Sequence, residues 1–319
     1  MAKILNGKVV NEKIAEELRA EILRAKKSQG LRPKLVIIQV GNLAESNAYI
    51  ARKKAFGEKI GAIVDHVKFP EDVTQEKLQT TIYKLNADST VHGIIVQMPL
   101  PAHLDKNKII DAIIPVKDVD GLTSTNLKLL WENRPEGYIP ATTKGILTLL
   151  NHYEIPIAGK NVVVVGRSFL VGKPTALAFI NKDATVTIAH SKTKNLATVT
   201  KSADILVVAA GKPKLIGKEH VTKGQVVIDV GINVMENVIV IRHSRRSNLE
   251  KTAASLDKQS FSANKLGTRS DKSRKLVGDV DFENVKNIVA AISPVPGGIG
   301  PMTVASLFQN LLHAHKNQT

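Results

Sequence analysis

The chain has 319 residues, of which 43% are hydrophobic and only 4% aromatic, and its formal net charge is +16. It contains no cysteine, which excludes disulfides, thiolate metal sites and cysteine nucleophiles, and we predict no metal site. The length allows about two domains, and the sparse aromatics indicate the aliphatic cores of buried parallel sheets. We expect a cytoplasmic protein without a membrane partner, because the sequence shows no signal-peptide core and no apolar run of roughly 18 residues.

The first half of the chain alternates amphipathic helices with short apolar strands, which is the pattern of parallel βαβ units. The apolar runs that predict strands lie at residues 35–40, 63–69 and 93–96. The four-residue repeats that predict helices lie at residues 11–27, 46–60 and 74–85. Asn11 is the predicted N-cap of the first helix. Two further helical stretches, 124–131 and 144–152, are expected to link this half to the next.

The second half repeats the alternation. Its predicted strands lie at residues 161–165, 184–189, 203–209 and 226–230. A helix at 173–180 follows the first of these strands, and a last helix at 302–315 is expected to pack back on the first half.

From this order of elements we predict an α/β protein of two domains. Residues 1–145 plus 296–319 form an N-terminal α/β substrate and catalytic domain. Residues 146–295 form a Rossmann-like nucleotide-binding domain with a parallel sheet. Within it, residues 238–274 carry nine basic and three acidic side chains and are rich in serine, so we predict a basic, flexible insertion there.

The positive charge of the chain has three interpretations. It could serve nucleic-acid binding through the insertion, which would make the chain a basic nucleic-acid-binding protein. It could be a basic surface with no partner, or it could attract a small acidic substrate. We do not favour nucleic acid, because aromatic residues are sparse and no helix-turn-helix, zinc-finger or RNA-recognition motif is present.

Two candidate site residues, Gln97 and Asp120, lie at the end of the predicted 93–96 strand and on a later turn. Prolines at positions 99 and 101 end the strand, so Gln97 stands at its carboxyl end, where open α/β sheets place ligands. Asp118 and Asp120 flank one valine on an Asp-Gly turn. Each has a plain alternative: Gln97 as a satisfied strand-end amide, and Asp120 as the cap of the helix after it.

The helix predicted at 46–60 contains Ser46, Tyr49 and Lys53, and the last two are four apart on one face. A lysine near a substrate can act as acid or base if burial or nearby cations lower its pKa. A tyrosine offers a flat face and a hydroxyl. Such pairs are nevertheless common on exposed helix faces.

A glycine turn follows the predicted 161–165 strand and has the form Gly166-x-Ser168-x-x-x-Gly172. It is an altered dinucleotide fingerprint, in which the first glycine allows the tight turn and the helix N-terminus offers free N–H groups to a pyrophosphate. As a lone pattern it is weak, because many strand-glycine-helix turns bind nothing.

The end of the next predicted strand bears on the choice between NAD and NADP. It reads His190-Ser191-Lys192 and lacks the carboxylate that would hold a ribose 2′-hydroxyl. With Arg167 in the glycine turn, this basic and hydroxyl set favours a 2′-phosphate, hence NADP. The alternative is a solvated loop. Near the other end of the chain, Pro296-Gly297-Gly298 permits close backbone approach to a ligand, or simply reverses the chain before the last helix.

Two stretches resemble the signatures of the bifunctional methylenetetrahydrofolate dehydrogenase/cyclohydrolase family. They are VHGIIVQMPLPAHLDKNKIIDAIIPVKDVDGLT at 91–123 and PGGIGPMT at 296–303. The resemblance covers nearly the whole chain apart from the insertion. It implies one-carbon metabolism serving purine biosynthesis, NADP as cofactor, tetrahydrofolate derivatives as partners and a homodimer. Polyglutamylated folates would then be the acidic substrate. The chain departs from the usual family pattern at Ala55, at Leu122-Thr123-Ser124, and at Ala141 and Thr143.

The resemblance also implies roles. NADP-dependent oxidation of 5,10-methylenetetrahydrofolate would give the methenyl cation, and hydrolysis would give 10-formyltetrahydrofolate; the alternative is a dehydrogenase with weak or lost cyclohydrolase activity. Lys53 would assist proton transfer with Gln97 hydrogen-bonded to it, Asp120 would hold the pterin and Tyr49 would stack on the aminobenzoate ring. The remaining implied substrate-binding residues are Ser46, Pro296, Gly297 and Gly298. The implied cofactor-binding residues are Gly166, Arg167, Ser168, Gly172, His190, Ser191 and Ile232. The sharpest geometric expectation is that the Lys53 and Gln97 side chains lie within hydrogen-bond reach.

Overall fold

The structure is a computed structural model that describes residues 1–30, 32–239 and 271–318. The strands, in chain order, are β1 (Lys3–Ile4), β2 (Lys34–Val40), β3 (Ile63–Phe69), β4 (Gly93–Val96), β5 (Asn161–Val165), β6 (Thr185–Ala189), β7 (Ile205–Val208), β8 (Val226–Asp229), β9 (Asn233–Ile239), β10 (Asp271–Val277) and β11 (Ala291–Ile292). The α-helices are α1 (Gly7–Gln29), α2 (Ala44–Ile60), α3 (Gln75–Ala87), α4 (Lys106–Ile110), α5 (Ser124–Trp131), α6 (Ala141–His152), α7 (Gly172–Ile180), α8 (Leu196–Lys201), α9 (Phe282–Val285) and α10 (Ile299–Gln318).

The predicted α/β class with parallel sheets is confirmed. The first half builds a three-stranded parallel sheet in the order β3-β2-β4, and the second half builds a six-stranded parallel sheet in the order β1-β11-β8-β7-β5-β6. Runs of valine, isoleucine and leucine form these strands, and β4, β7 and most of β2 and β5 are buried. Continuous burial is what helices on both faces of a parallel sheet impose.

Strand β1 belongs to the sheet of the second half, although its position in the sequence suggested the first domain. It pairs with β11, so residues 3–4 extend the six-stranded sheet of the second half, whereas residues 1–145 were assigned to the first domain. The reason is that a two-residue strand has no readable period, and only its distant partner at 291–292 defines it. The chain therefore crosses from the second sheet into the first half immediately before α1.

Helix α1 begins earlier than predicted, at Gly7. The Oδ1 atom of Asn6 caps it by accepting the N–H of Lys8 at 3.0 Å. The predicted cap, Asn11, was wrong: it lies inside the helix, and its Nδ2 donates to the carbonyl of Pro301 at 2.8 Å. The apolar face already includes Val10, which is buried, so packing carries the helix one turn further back than the repeat we used.

The segment predicted as an insertion starts and ends in a hairpin. Strands β9 and β10 are antiparallel, with Asn233 opposite Val277 and Ile239 opposite Asp271. Residues 238–239 and 271–274 are therefore strand rather than loop, while 240–270 lie outside the described residues. Pairing between two strands this far apart in the sequence was not readable from either strand alone.

Helix α10 packs on the first half, as expected, against α1 and α6. Phe308 on α10 meets Phe56 on α2 with ring centroids 5.3 Å apart. Nearly every turn of α10 is buried, which is why it spans Ile299–Gln318 rather than the shorter 302–315 that its apolar repeat predicted. Within the described ranges, no helix is long and apolar enough to span a membrane.

Candidate active site

A cleft of about 310 Å³ lies between the two halves. Helix α2, the end of β4 and the turn after Asp118 form its wall on the first half. The second half contributes Val230 and Ile232, which follow β8. Because the carboxyl ends of parallel strands from both sheets point here, the cleft occupies the position at which α/β folds bind ligands.

Three of the predicted residues meet in this cleft. The Nζ of Lys53 donates to Oε1 of Gln97 at 3.0 Å, so the expected contact is confirmed. The Nε2 of Gln97 donates to the carbonyl of Met98 at 2.9 Å, which orients the amide with its oxygen toward the lysine. Asp120 lines the same cleft. The amide of Gln97 is therefore paired, and its oxygen accepts from Lys53. Through this hydrogen bond Gln97 can influence the protonation of Lys53.

Burial shapes the protonation of Lys53 and Asp120. It lowers the pKa of Lys53, an effect that the nearby Asp120 carboxylate partly reverses. It raises the pKa of Asp120, against the opposing charge of Lys53 and with a further increase from Asp118. A lysine with a lowered pKa can exchange a proton nearer neutral pH than a free lysine, which suits a general acid or base.

The carboxylates of Asp118 and Asp120 have different surroundings. Asp118 is buried and accepts the N–H groups of Gly121 at 3.0 Å and Thr123 at 2.7 Å, and Nδ2 of Asn126 at 2.8 Å. Thr123 caps α5. The capping role considered for Asp120 therefore belongs to its neighbours. No donor among the described residues bonds the Asp120 carboxylate, so both of its oxygens are available to a ligand in the cleft.

Asn310, a buried residue on α10 that we did not predict as part of the site, bonds two backbone segments near Asp120. The Nδ2 of Asn310 donates to the carbonyls of Val119 at 2.9 Å and Ile139 at 3.1 Å. Its Oδ1 accepts Nζ of Lys144 at 2.8 Å. The available signal was a lone asparagine on the apolar face of a helix, with Leu307 three residues before it and Ala314 four residues after it.

Tyr49 and Ser46 share one face of α2 but not one environment. Tyr49 lines the cleft; burial raises the pKa of its hydroxyl, while the charge of Arg52 lowers it. The guanidinium of Arg52 lies 5.8 Å from the centre of the Tyr49 ring. Ser46 is buried beneath the cleft, with its Oγ 3.5 Å from the carbonyl of Met98. Ser46 thus contacts the turn that carries Gln97 and does not line the cleft.

A larger cavity of about 560 Å³ adjoins the cleft and shares Ile232 with it. The predicted loop Pro296–Gly298 lines this cavity, together with the cations Lys8, Arg52 and Lys59. The N–H of Lys8 donates to the carbonyl of Gly297 at 3.2 Å, which ties the start of α1 to the loop. The loop is therefore a wall of a ligand-sized space and more than a chain reversal.

A third cavity, of about 390 Å³, opens at the ends of β5 and β6. Five of the seven predicted cofactor residues line it: Gly166, Arg167, Ser168, His190 and Ser191. Arg167 and Lys212 give the described lining a positive charge, and it contains no carboxylate. An anionic group fits such a pocket, and the lack of an acidic residue removes the usual partner of a ribose 2′-hydroxyl.

The glycine turn after β5 depends on its two glycines. Gly166 has φ of +127°, and a Cβ on it would lie 2.2 Å from the carbonyl oxygen of Ala209. A Cβ on Gly172 would lie 2.3 Å from the Gly166 carbonyl oxygen, so Gly172 supports the turn from behind. Ser168 Oγ accepts the N–H groups of Val171 and Gly172 at the start of α7. Of the predicted cofactor residues, Ile232 alone lines the cleft and the larger cavity instead.

The described residues bring together no group of three or more His, Cys, Asp or Glu side chains that could hold a metal ion.

Comparison with known proteins gives matches along the whole chain. The family described as "Tetrahydrofolate dehydrogenase/cyclohydrolase, catalytic domain" matches residues 5–120, and its "NAD(P)-binding domain" matches 140–257 and 260–319. The chain is 44% identical over 283 residues to "Bifunctional protein FolD" of Ligilactobacillus salivarius, which covers 89% of this chain and 86% of that protein.

Two solved structures are similar over their full length. The bifunctional methylenetetrahydrofolate dehydrogenase/cyclohydrolase FolD of Campylobacter jejuni is 37% identical with a TM-score of 0.85, and 100% of each chain is covered. The Trypanosoma brucei enzyme complexed with NADP cofactor and inhibitor is 34% identical with a TM-score of 0.84, covering 99% of this chain and 98% of that chain.

The lowered pKa of the partly buried Lys144 predicts how the stability of the fold depends on pH. Burial lowers its pKa to about 8, whereas a lysine in an unfolded chain has a pKa of about 10.4. Between these values the folded state binds fewer protons than the unfolded state, so the free energy of unfolding rises with pH. We expect the wild type to gain on the order of 1 kcal/mol per pH unit over Lys144→Met across this window, and little below it.

Urea unfolding between roughly pH 7 and 10 measures this gain. The exposed Lys106→Met variant provides the background slope. A difference between wild type and Lys144→Met that stays flat or falls as the pH rises would contradict the prediction.

Proposed function

The chain belongs to the tetrahydrofolate dehydrogenase/cyclohydrolase family, and on that basis we propose that Lys53, Gln97 and Asp120 carry its chemistry. The chain is a bifunctional one-carbon folate enzyme that oxidises 5,10-methylenetetrahydrofolate with NADP and hydrolyses the methenyl product to 10-formyltetrahydrofolate. The family, both activities and the cofactor predicted from the sequence are thus confirmed. Relatives named as bifunctional favour both activities over the alternative of a lost cyclohydrolase.

The observation that carries the proposed site is the hydrogen bond between Lys53 and Gln97 beside an open Asp120 carboxylate. In the dehydrogenase step, positive charge develops on the folate as the methenyl cation forms. A protonated lysine next to it would repel that charge. The lowered pKa of Lys53 makes the neutral amine accessible, and the Asp120 carboxylate adds a compensating negative charge.

In the cyclohydrolase step, the oxygen of water forms a bond to the methenyl carbon. The neutral amine of Lys53 takes the proton that this water loses. The bond from that carbon to one ring nitrogen then breaks, and Lys53 returns the proton to the departing nitrogen. The remaining hydroxyl proton of the adduct leaves to solvent as the formyl C=O forms, so the hydrolysis of the cation releases one proton overall. Gln97 contributes by holding the amine in place through its Oε1. A single residue thus serves as base and then as acid, with no net change in its protonation.

We propose that Asp120 binds the pterin through the N–H groups on its amide edge. The support is the absence of any described donor to its carboxyl group, which leaves both of its oxygens open in the cleft. Tyr49 would stack on the aminobenzoate ring, since its ring lines the same cleft. The larger cavity would then receive the glutamate end, because the three cations of its lining, Lys8, Arg52 and Lys59, outnumber its two carboxylates, Glu12 and Asp229.

The pocket at the ends of β5 and β6 fits NADP. The bound cofactor accepts the hydride in the dehydrogenase step. Gly166 would let the backbone approach the pyrophosphate, and Gly172 packs closely against that turn. We propose that Arg167, Ser168 and Ser191 recognise the 2′-phosphate and that His190 flanks it. Ile232 would meet the reactive end of the cofactor, since it lines the catalytic cleft instead of this pocket.

We also propose a homodimer in the cytoplasm. Strand β6 is an edge: among the described strands it pairs with β5 alone. Ile188 on β6 is 40% exposed, and Ile180, at the end of the adjoining α7, is 52% exposed. An unpaired strand with exposed apolar side chains is suited to cover by a second copy of the chain. The absence of cysteine fits a reducing compartment.

Replacing Lys53 by methionine should separate the two activities. The variant keeps the aliphatic stem but loses the amine, so we expect the cyclohydrolase rate to fall by at least about 100-fold. Dehydrogenase turnover should fall less, because hydride transfer itself needs no proton relay. Rates of NADPH formation and of methenyl-folate hydrolysis give the two values. Lys54→Met, on the exposed side of α2, is the matched control, and equal losses in both activities would contradict the assigned role.

Arg167→Ala tests the recognition of the 2′-phosphate. Loss of a charge-assisted contact should raise the KM for NADP+ by about tenfold or more, while the KM for NAD+, which lacks that phosphate, changes little. Lys192→Ala removes a neighbouring cation that does not line the pocket and should leave both values near wild type. If Arg167→Ala weakens both cofactors equally, the residue acts on a group that they share.

The homodimer is tested by light scattering on the purified protein. We expect twice the 34.6 kDa chain mass, and Ile188→Lys should give the single-chain mass by burying a charge at the edge. Val9→Lys replaces another exposed apolar residue, on α1, and should leave the dimer intact. A wild-type mass of one chain would refute the dimer, and a dimer that survives Ile188→Lys would refute this edge as its interface.

A further inference from the structure

Both the oxygen and the nitrogen of the Asn310 amide are hydrogen-bonded in the interior of the protein. Its side chain is on α10, and the residue is only 2% exposed. Its Nδ2 reaches two carbonyls from different segments, those of Val119 and Ile139, and its Oδ1 accepts from Lys144. A buried asparagine costs free energy unless its polar atoms are paired, and here the pairing joins segments that would otherwise be separate.

The two carbonyls lie on either side of the turn that presents Asp120. Val119 immediately precedes Asp120 in the chain. Ile139 lies two residues before Ala141, whose N–H donates to the carbonyl of Asp120 at 3.2 Å. Asn310 therefore holds both the turn and the segment that binds the turn. Displacement of the Asp120 backbone would break at least one of these hydrogen bonds.

Lys144 determines which way the amide of Asn310 faces. An ammonium group has donors and no acceptor, so it requires the Oδ1 of Asn310 on its side. The Nδ2 is then left for the two carbonyls. With the amide turned round, an NH2 group would face the ammonium and an oxygen would face two carbonyl oxygens. The lysine thus selects the one orientation that holds the turn.

We infer that Asn310 is a positioning residue for Asp120 and that Lys144 orients it. This inference rests on the proposed role of Asp120 in binding the folate. Asn310 does not line the cleft, so it acts on the substrate only through the backbone of the turn. Displacement of a binding group by about 1 Å can cost up to 100-fold in rate. Loss of the hydrogen bonds of one asparagine can therefore have a measurable effect on substrate binding.

The experiment compares kinetic constants for both substrates in variants of the full chain. Asn310→Leu removes all three hydrogen bonds at similar volume. Asn310→Asp keeps the size and the partner of Lys144 but loses the two donors, so it separates loop holding from the lysine contact. For both variants we expect the KM for methylenetetrahydrofolate to rise about tenfold, with the KM for NADP+ changed by less than about twofold. Lys144→Met should show a smaller change of the same kind.

Ser306→Ala is the matched control. Ser306 is one turn earlier on α10 and is also buried, and its Oγ has no hydrogen-bond partner among the described residues. A merely structural effect of altering a buried polar residue on this helix would appear in this control as well. We expect its KM for methylenetetrahydrofolate to stay at the wild-type value.

A double-mutant cycle with Asp120→Asn gives the decisive readout. If Asn310 acts through Asp120, then Asn310→Leu adds less than about twofold to the loss in the Asp120→Asn background. Effects that multiply, equal increases in the KM of both substrates, or a wild-type folate KM in Asn310→Asp would each overturn the inference. A wild-type protein with neither activity would instead refute the proposed function, before any variant is compared.

Discussion

A lysine amine and a carboxylate are both withdrawn from water in one cleft, and much of the surrounding structure follows from that constraint. Burial lowers the pKa of Lys53 and raises the pKa of Asp120, while each charge partly reverses the shift of the other. A buried charge without a partner costs free energy, so each of the two groups makes the charged form of the other less unfavourable there. The amide of Gln97 adds a directed contact that holds the amine. The reactivity of the cleft therefore comes from incomplete compensation, which leaves the amine easy to deprotonate and the carboxylate open.

Because Lys53 and Asp120 keep groups free for a ligand, other residues must fix the backbone that carries them. Asp118 accepts three hydrogen bonds, two from backbone N–H groups that follow it and one from Asn126 on α5, and Asn310 reaches the same turn from α10. These two polar side chains are buried and paired, while Asp120 between them is left without a described donor. The division is one that enzymes use generally: a saturated, rigid set of hydrogen bonds supports a small number of unsaturated groups that bind the ligand.

The two halves of the chain are joined beside the larger cavity. After β1 in the six-stranded sheet, the chain enters α1 at Gly7, where a Cβ would lie 1.9 Å from the carbonyl oxygen of Gly298. Only glycine allows the start of α1 to lie against the Pro296–Gly298 loop this closely. The same junction places Lys8 at the cavity wall. The contact that connects the sheets thus also contributes to the substrate side of the site.

The sequence by itself determined the features that depend on short-range pattern. Strands β3, β4 and β5 and helix α5 begin and end where the apolar runs predicted, and spacing on α2 put Tyr49 and Lys53 on one face. The glycine turn and the residues after β6 were also readable, because each lies at the end of its own strand. The tertiary structure alone decided the pairing of β1 with β11, the cap at Asn6, the burial of Ser46 and the different surroundings of Asp118 and Asp120. It also decided the contact of Asn310 with a turn some 190 positions earlier. These features depend on which distant groups meet, and a hydrogen bond between distant residues leaves no periodicity in the sequence of either partner.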